Sequence, residues 1–185
     1  MTRLSPEARA VIVDAIERAR REGTREAHVE HLLAAALAHP GGQSLLPEAD
    51  NQAGVDDLFS EIRQGRRRGG LSTFDVDALA ELGFDVPALV DRVEAELGEG
   101  ALDETRSRRL PPWRGPSISD EFNAALGAAD RHARGGGDER LSLAHLLLGL
   151  LARPGLVADA LGRRGITVAT VRDAMESDRG AGTSR

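Results

Sequence analysis

At 185 residues with a formal net charge of −6, the chain is long enough to bury a core as one domain or two small ones. It has no Cys, which excludes a disulfide framework and Cys-based zinc sites; all 24 basic residues are Arg, which excludes the lysine of a phosphate-binding loop and Schiff-base chemistry. Aromatics make up only 3%, so the core must come from Leu, Val, Ile and Ala, a composition that suits packed helices.

The N-terminal residues "MTRLSPEARA" are polar, without the apolar stretch of a signal peptide. No apolar run approaches the roughly 20 residues that span a bilayer. A cytoplasmic location without membrane attachment is expected. Ser5 is placed to cap a first helix, and Pro6 beside it has no N–H to leave unpaired. Ala8, Val11, Ile12, Ala15, Ile16 and Ala19 follow at helical spacing, and Gly23 stops the run. A second helix, "VEHLLAAALAHP" from Val29, is apolar nearly all round and so belongs at the centre of a core. Beyond it lies "VDDLFSEIRQ", an expected extra helix, flanked by Gly- and Arg-rich sequence in which "GRRRGG" (Gly65–Gly70) reads as a solvated loop. A short third helix is expected to end at Gly83. A fourth, capped by Asp85, carries Val86, Leu89, Val90 and Val93. Residues 98–117 are rich in charge and Pro and read as a linker, whose Trp113 is expected to fold back onto the protein.

The sequence then repeats itself. Residues 4–38 align without a gap onto residues 118–152, so that Ser5 meets Ser119, Gly23 meets Gly137 and His31-Leu32-Leu33 meets His145-Leu146-Leu147. Residues 78–94 align onto 160–176, with Gly83 on Gly165 and Asp91 on Asp173. The chain is therefore expected to hold one four-helix unit over 4–97 with an insertion at about 41–76, and a second over 118–176. A disordered tail is expected over 177–185.

Two copies of a capped helix, a His-containing apolar helix, a Gly turn and a closing helix resemble the Clp N-terminal (Clp repeat) domain at the front of Clp-type unfoldases such as ClpC and ClpA. The second copy carries the signature as Ser142-Leu143-Ala144-His145-Leu146-Leu147-Leu148-Gly149-Leu150; the first carries it as His28-Val29-Glu30-His31-Leu32-Leu33. The resemblance implies an all-α fold of eight helices with pseudo-twofold symmetry, made of two tandem Clp repeats. It implies a non-enzymatic docking module for proteins or peptides, here separated from its ATPase motor.

In ClpC-like relatives the signature Glu pairs with the guanidinium of phosphoarginine, and nearby hydroxyls and amides hold the phosphate. Carried over by position, Glu30 is the candidate guanidinium ligand and Ser5 a candidate phosphate contact in the first copy. In the second, Ser119 keeps the hydroxyl but Ala144 stands where the carboxylate would be. At the level of the residues alone, Glu30 is also a first-turn acid that complements a helix dipole. His31 and His145 are expected to be structural, buried and hydrogen-bonded to backbone. His28 and His31 lie one turn apart, but Ser142 replaces His28 in the second copy and no third ligand is evident, so neither metal nor cofactor is expected. The sequence holds no HExxH or GxSxG. The expected partners are proteins or peptides, a Clp unfoldase or its clients among them, with the chain as adaptor, decoy or regulator of Clp-dependent proteolysis. Two other readings stand beside this one: sequestration of the cyclic-peptide antibiotics that target Clp N-domains, and DNA association through Arg66–Arg68, disfavoured by the net negative charge.

Overall fold

The computed structural model describes residues 2–45, 52–103 and 115–182. Trp113 and most of the expected linker lie outside these residues. Ten helices run through them: α1 (Pro6–Glu22), α2 (Val29–Ala38), α3 (Pro40–Leu45), α4 (Gln52–Arg67), α5 (Thr73–Glu81), α6 (Val86–Leu97), α7 (Asp120–Gly135), α8 (Leu143–Leu151), α9 (Leu156–Gly162) and α10 (Val168–Gly182). The chain is all-α, with two helices beyond the eight of the paired repeats: α3, and α4, which holds the extra helix expected at "VDDLFSEIRQ". No single helix among the described residues is long and apolar enough to cross a membrane.

Four two-residue strands, which nothing in the sequence period announces, clasp the two halves together. β1 (Arg3–Leu4) pairs in parallel with β4 (Arg140–Leu141), and β2 (Glu26–Ala27) pairs in parallel with β3 (Ser117–Ile118). Parallel strands need a long connection between them. Here each pair joins the start of one half to the segment before the apolar helix of the other.

The core forms around α2 and α8 because these helices are apolar on every side. Leu32, Leu33, Leu146 and Leu147 are essentially sealed from solvent, and each such side chain contributes roughly 1.5–3 kcal/mol by burial. α1 and α7 press their small residues against them: Ala8, Ala15 and Ala19 in one, Ala125, Ala129 and Ala133 in the other. The closest approach is at Gly149 of α8. A Cβ there would lie 2.3 Å from the Ala125 carbonyl oxygen and 3.0 Å from the Ala129 Cβ, so only glycine lets α7 and α8 meet at this distance. Both helix-ending turns anticipated at Gly83 and Gly165 take positive φ, 89° and 73°.

One expectation is corrected. The tail from Ser177 was expected to be disordered, but α10 continues to Gly182. The Ser177 hydroxyl donates to the Asp173 carbonyl one turn back, and no Pro interrupts the helix. The fourth helix of the first unit forms as expected, capped by Asp85 and carrying Val86, Leu89, Val90 and Val93, but its packing departs from that of the second unit. In the structure Leu89 is 60% exposed, and Val86 and Val90 are buried outside the main core cluster, to which no residue of α5 or α6 belongs. On this side the core contacts come instead from α4, through Leu58 and Ile62 with Val55 and Phe59 packed beside them. In the second unit α9 and α10 do supply the core, with Val157, Ala160, Leu161 and Val171.

Gly149→Ala is expected to lower stability by about 1–3 kcal/mol through overpacking, read as a lower urea midpoint. Gly127→Ala is the control: a Cβ there meets only the Arg131 guanidinium at 3.7 Å, so the exchange should be neutral or stabilising by about 0.5–1 kcal/mol.

Candidate functional site

The strand clasp decides which helix N-termini meet. The Ser119 amide donates to the Ala27 carbonyl (3.1 Å), which sets the start of α7 beside the start of α2. The Ser5 amide donates to the Leu141 carbonyl (2.9 Å), which sets the start of α1 beside the start of α8. Both hydroxyls cap their own helices, Ser5 accepting from the Ala8 amide at 3.1 Å and Ser119 from the Phe122 amide at 3.2 Å. The pairing of Ser5 with Glu30 inside one repeat is therefore corrected. Ser119 stands with Glu30, and Ser5 stands with Ala144.

Glu30 lies in the first turn of α2, and its carboxylate is already engaged. Arg66, in the last turn of α4, places Nη2 at 2.9 Å from Glu30 Oε2 and 3.0 Å from Glu121 Oε2 on α7. Burial works most strongly against the charge on Arg66, but the two carboxylates outweigh it and hold the guanidinium above its ordinary value. The expected solvated loop is corrected over Gly65–Arg67, where Arg66 and Arg67 are helical and paired and Arg67 reaches Glu94 on α6 at 2.7 Å; Arg68, Gly69 and Gly70 do form a turn, with both glycines exposed. Their charge is spent on carboxylates rather than gathered as a phosphate-binding patch. Two contacts hold α4 where Arg66 can reach. Gly65 sits against Leu156 of α9, where a Cβ would come within 2.3 Å of a methyl group. Glu61 pairs with Arg163 and, at 2.7 Å, with Arg164.

Glu30, Arg66 and His31 also line a cleft of about 650 Å³ between α1, α2 and α4, with an apolar floor that includes Leu37 and Phe59. This combination of apolar lining and a few convergent polar groups is what small-molecule and peptide sites share. The equivalent ground in the second half holds neither a carboxylate at position 144 nor an inserted arginine, and Ala144 itself is buried.

The two histidines do the same work in both halves. His31 is 5% exposed; its Nδ1 accepts from the His28 amide at 2.9 Å and its Nε2 lies 3.1 Å from Glu22. His145 is 2% exposed; its Nδ1 accepts from the Ser142 amide at 3.1 Å and its Nε2 lies 3.2 Å from Asp138. An accepting Nδ1 requires the proton on Nε2, so each ring bridges a helix N-terminus to a carboxylate. With both nitrogens of His31 engaged, it is not disposed to ligate a metal with His28.

Set against known proteins, residues 117–184 match the family described as Clp repeat (R) N-terminal domain. No curated protein matches the chain. A solved structure from preliminary structural investigations of a malarial protein secretion system is similar in fold, with a TM-score of 0.58 at 14% identity, covering 95% of this chain and 94% of that one.

His31→Leu and His145→Leu should each cost about 1–3 kcal/mol in urea denaturation, because each strands a buried helix-capping amide. The hydrogen bond from His31 is the largest influence on Glu22 and holds its carboxyl below the ordinary value. A group with a depressed folded pKa contributes its full stability above its unfolded value and loses it as pH falls through the folded one. Glu22→Gln should therefore flatten the acid limb of the stability curve and leave its slope near neutral pH unchanged.

Proposed function

We propose that this chain, whose residues 117–184 form a Clp N-terminal repeat domain, is a protein-binding module of the Clp system that acts as an adaptor, decoy or regulator of proteolysis. Clp N-domains are binding modules without catalytic activity, and protein binding is the function to which the domain points. The finer reading is that the module takes arginine-bearing segments of its partner at Glu30. The observation that carries this reading is the Glu30–Arg66–Glu121 contact. A carboxylate beside a helix N-terminus, over an apolar cleft, holds a guanidinium supplied by the chain itself. Arg66 reaches both carboxylates through Nη2 alone. An incoming guanidinium that met Glu30 with two parallel N–H donors would make the stronger contact. A phosphate on that guanidinium would lie toward the helix N-termini, where negative charge is favoured. Ser119 stands close to this place, and its amide and hydroxyl are already committed to the fold.

Calorimetric titration with a phosphoarginine peptide is the test. The wild type is expected to bind weakly. Arg66→Ala, which frees Glu30, should tighten binding by about tenfold, equal to about 1.4 kcal/mol. Glu30→Ala should abolish it. Equal affinity in all three proteins, or none in any, would overturn the assignment of Glu30.

A further inference from the structure

The hairpin of α5 and α6 stands apart from the rest of the molecule in two respects. It carries five of the six large apolar side chains that are exposed among the described residues: Phe74, Leu82, Phe84, Leu89 and Leu97, each between 60% and 75% exposed. It is also the most one-sidedly acidic stretch among the described residues. Between Thr73 and Glu99 there are eight Asp or Glu and one Arg, a net −7, against −6 for all 185 residues. Along α5 and its C-cap, Phe74, Ala78 and Leu82 recur every four residues, and along α6, Leu89, Val93 and Leu97 do the same, so each helix has an apolar stripe. Asp77, Glu81, Asp85, Asp91 and Glu96 are exposed beside the stripes.

Apolar surface of this kind, edged by charge, marks interaction sites. The charge decides what covers it. With the charge of Arg67 of α4, which pairs with Glu94 and Glu99, added to that −7, a second copy through the same face would set −6 against −6. Anionic lipid and nucleic acid are repelled in the same way. We propose that the α5–α6 hairpin is a docking surface for a cationic amphipathic helix of a partner protein, whose apolar side chains cover Phe84 and Leu89 while its Arg or Lys residues meet the acidic border. This is the helix-on-apolar-surface mode of recognition, with charge steering the approach. The surface lies on helices that do not carry Glu30, and the proposal does not rest on the reading given to that residue.

The probe is a synthetic helical peptide of Leu and Arg, about 18 residues or five turns long. A counterpart carrying Glu for Arg serves as the control, and both are titrated by fluorescence anisotropy. The Arg peptide should bind saturably and lose affinity as NaCl rises from about 50 to about 500 mM; the Glu peptide should not bind. Phe84→Ser with Leu89→Ser, and separately Asp91→Arg with Glu96→Arg, should each weaken binding at least tenfold with helical content unchanged. All four positions are exposed, so the fold is expected to persist. No binding of the Arg peptide, or equal affinity in both variants, would overturn the proposal. So would a wild-type dimer in analytical ultracentrifugation that Phe84→Ser with Leu89→Ser dissociates, since a second copy would then be the occupant. Phosphoarginine titration of the same variants should be unaltered, so the two proposals fail independently.

Discussion

The reciprocal strand clasp is the constraint on which the rest of the arrangement depends. Each of its two arms pairs only two residues per strand, and a few backbone hydrogen bonds are worth little energy beside the leucines under them. Their importance is positional. By tying Ser119 to Ala27 and Ser5 to Leu141, they bring the N-termini of four helices together in two pairs, each made from both halves of the chain. The three-residue contact at Arg66 likewise draws on both halves. Glu30 comes from one half and Glu121 from the other, and only the clasp sets them at either side of one guanidinium.

From this symmetric frame the insertion makes a lopsided molecule. α4 gives Leu58 and Ile62 to the core, packs its glycine against Leu156, and is held to α9 by Glu61. With those core contacts supplied by α4, the helices that repeat symmetry would have put there are left outside the main cluster. The exposed face of α5 and α6 and the engaged state of Glu30 thus both accompany the presence of α4 between the first two helices of the unit and the last two.

Much of this was legible in the sequence because it is periodic or local. The stripes of α1 and α7, the caps at Ser5 and Ser119, and the apolar character of α2 and α8 all follow from spacing. What was not legible is long-range. A two-residue strand has no period, so nothing indicated that the halves pair crosswise and that Ser119 rather than Ser5 accompanies Glu30. "GRRRGG" reads as loop because glycines punctuate it, yet Gly65 is there for close contact with Leu156 and lies inside a helix. The stripe of α6 was read correctly as apolar. Its exposure goes with α4 occupying the core contacts on that side, a long-range choice that no local pattern records.

The contact between Arg66 and Glu30 also bears on selectivity. A side chain tethered to the same molecule confronts its partner at an effective concentration in the millimolar range or above. Under the proposed reading, any arginine-bearing visitor would have to displace that tethered side chain, so its apparent affinity would fall by a constant factor while the binding curve kept its shape. The internal arginine would then set the lowest intrinsic affinity that the site can register.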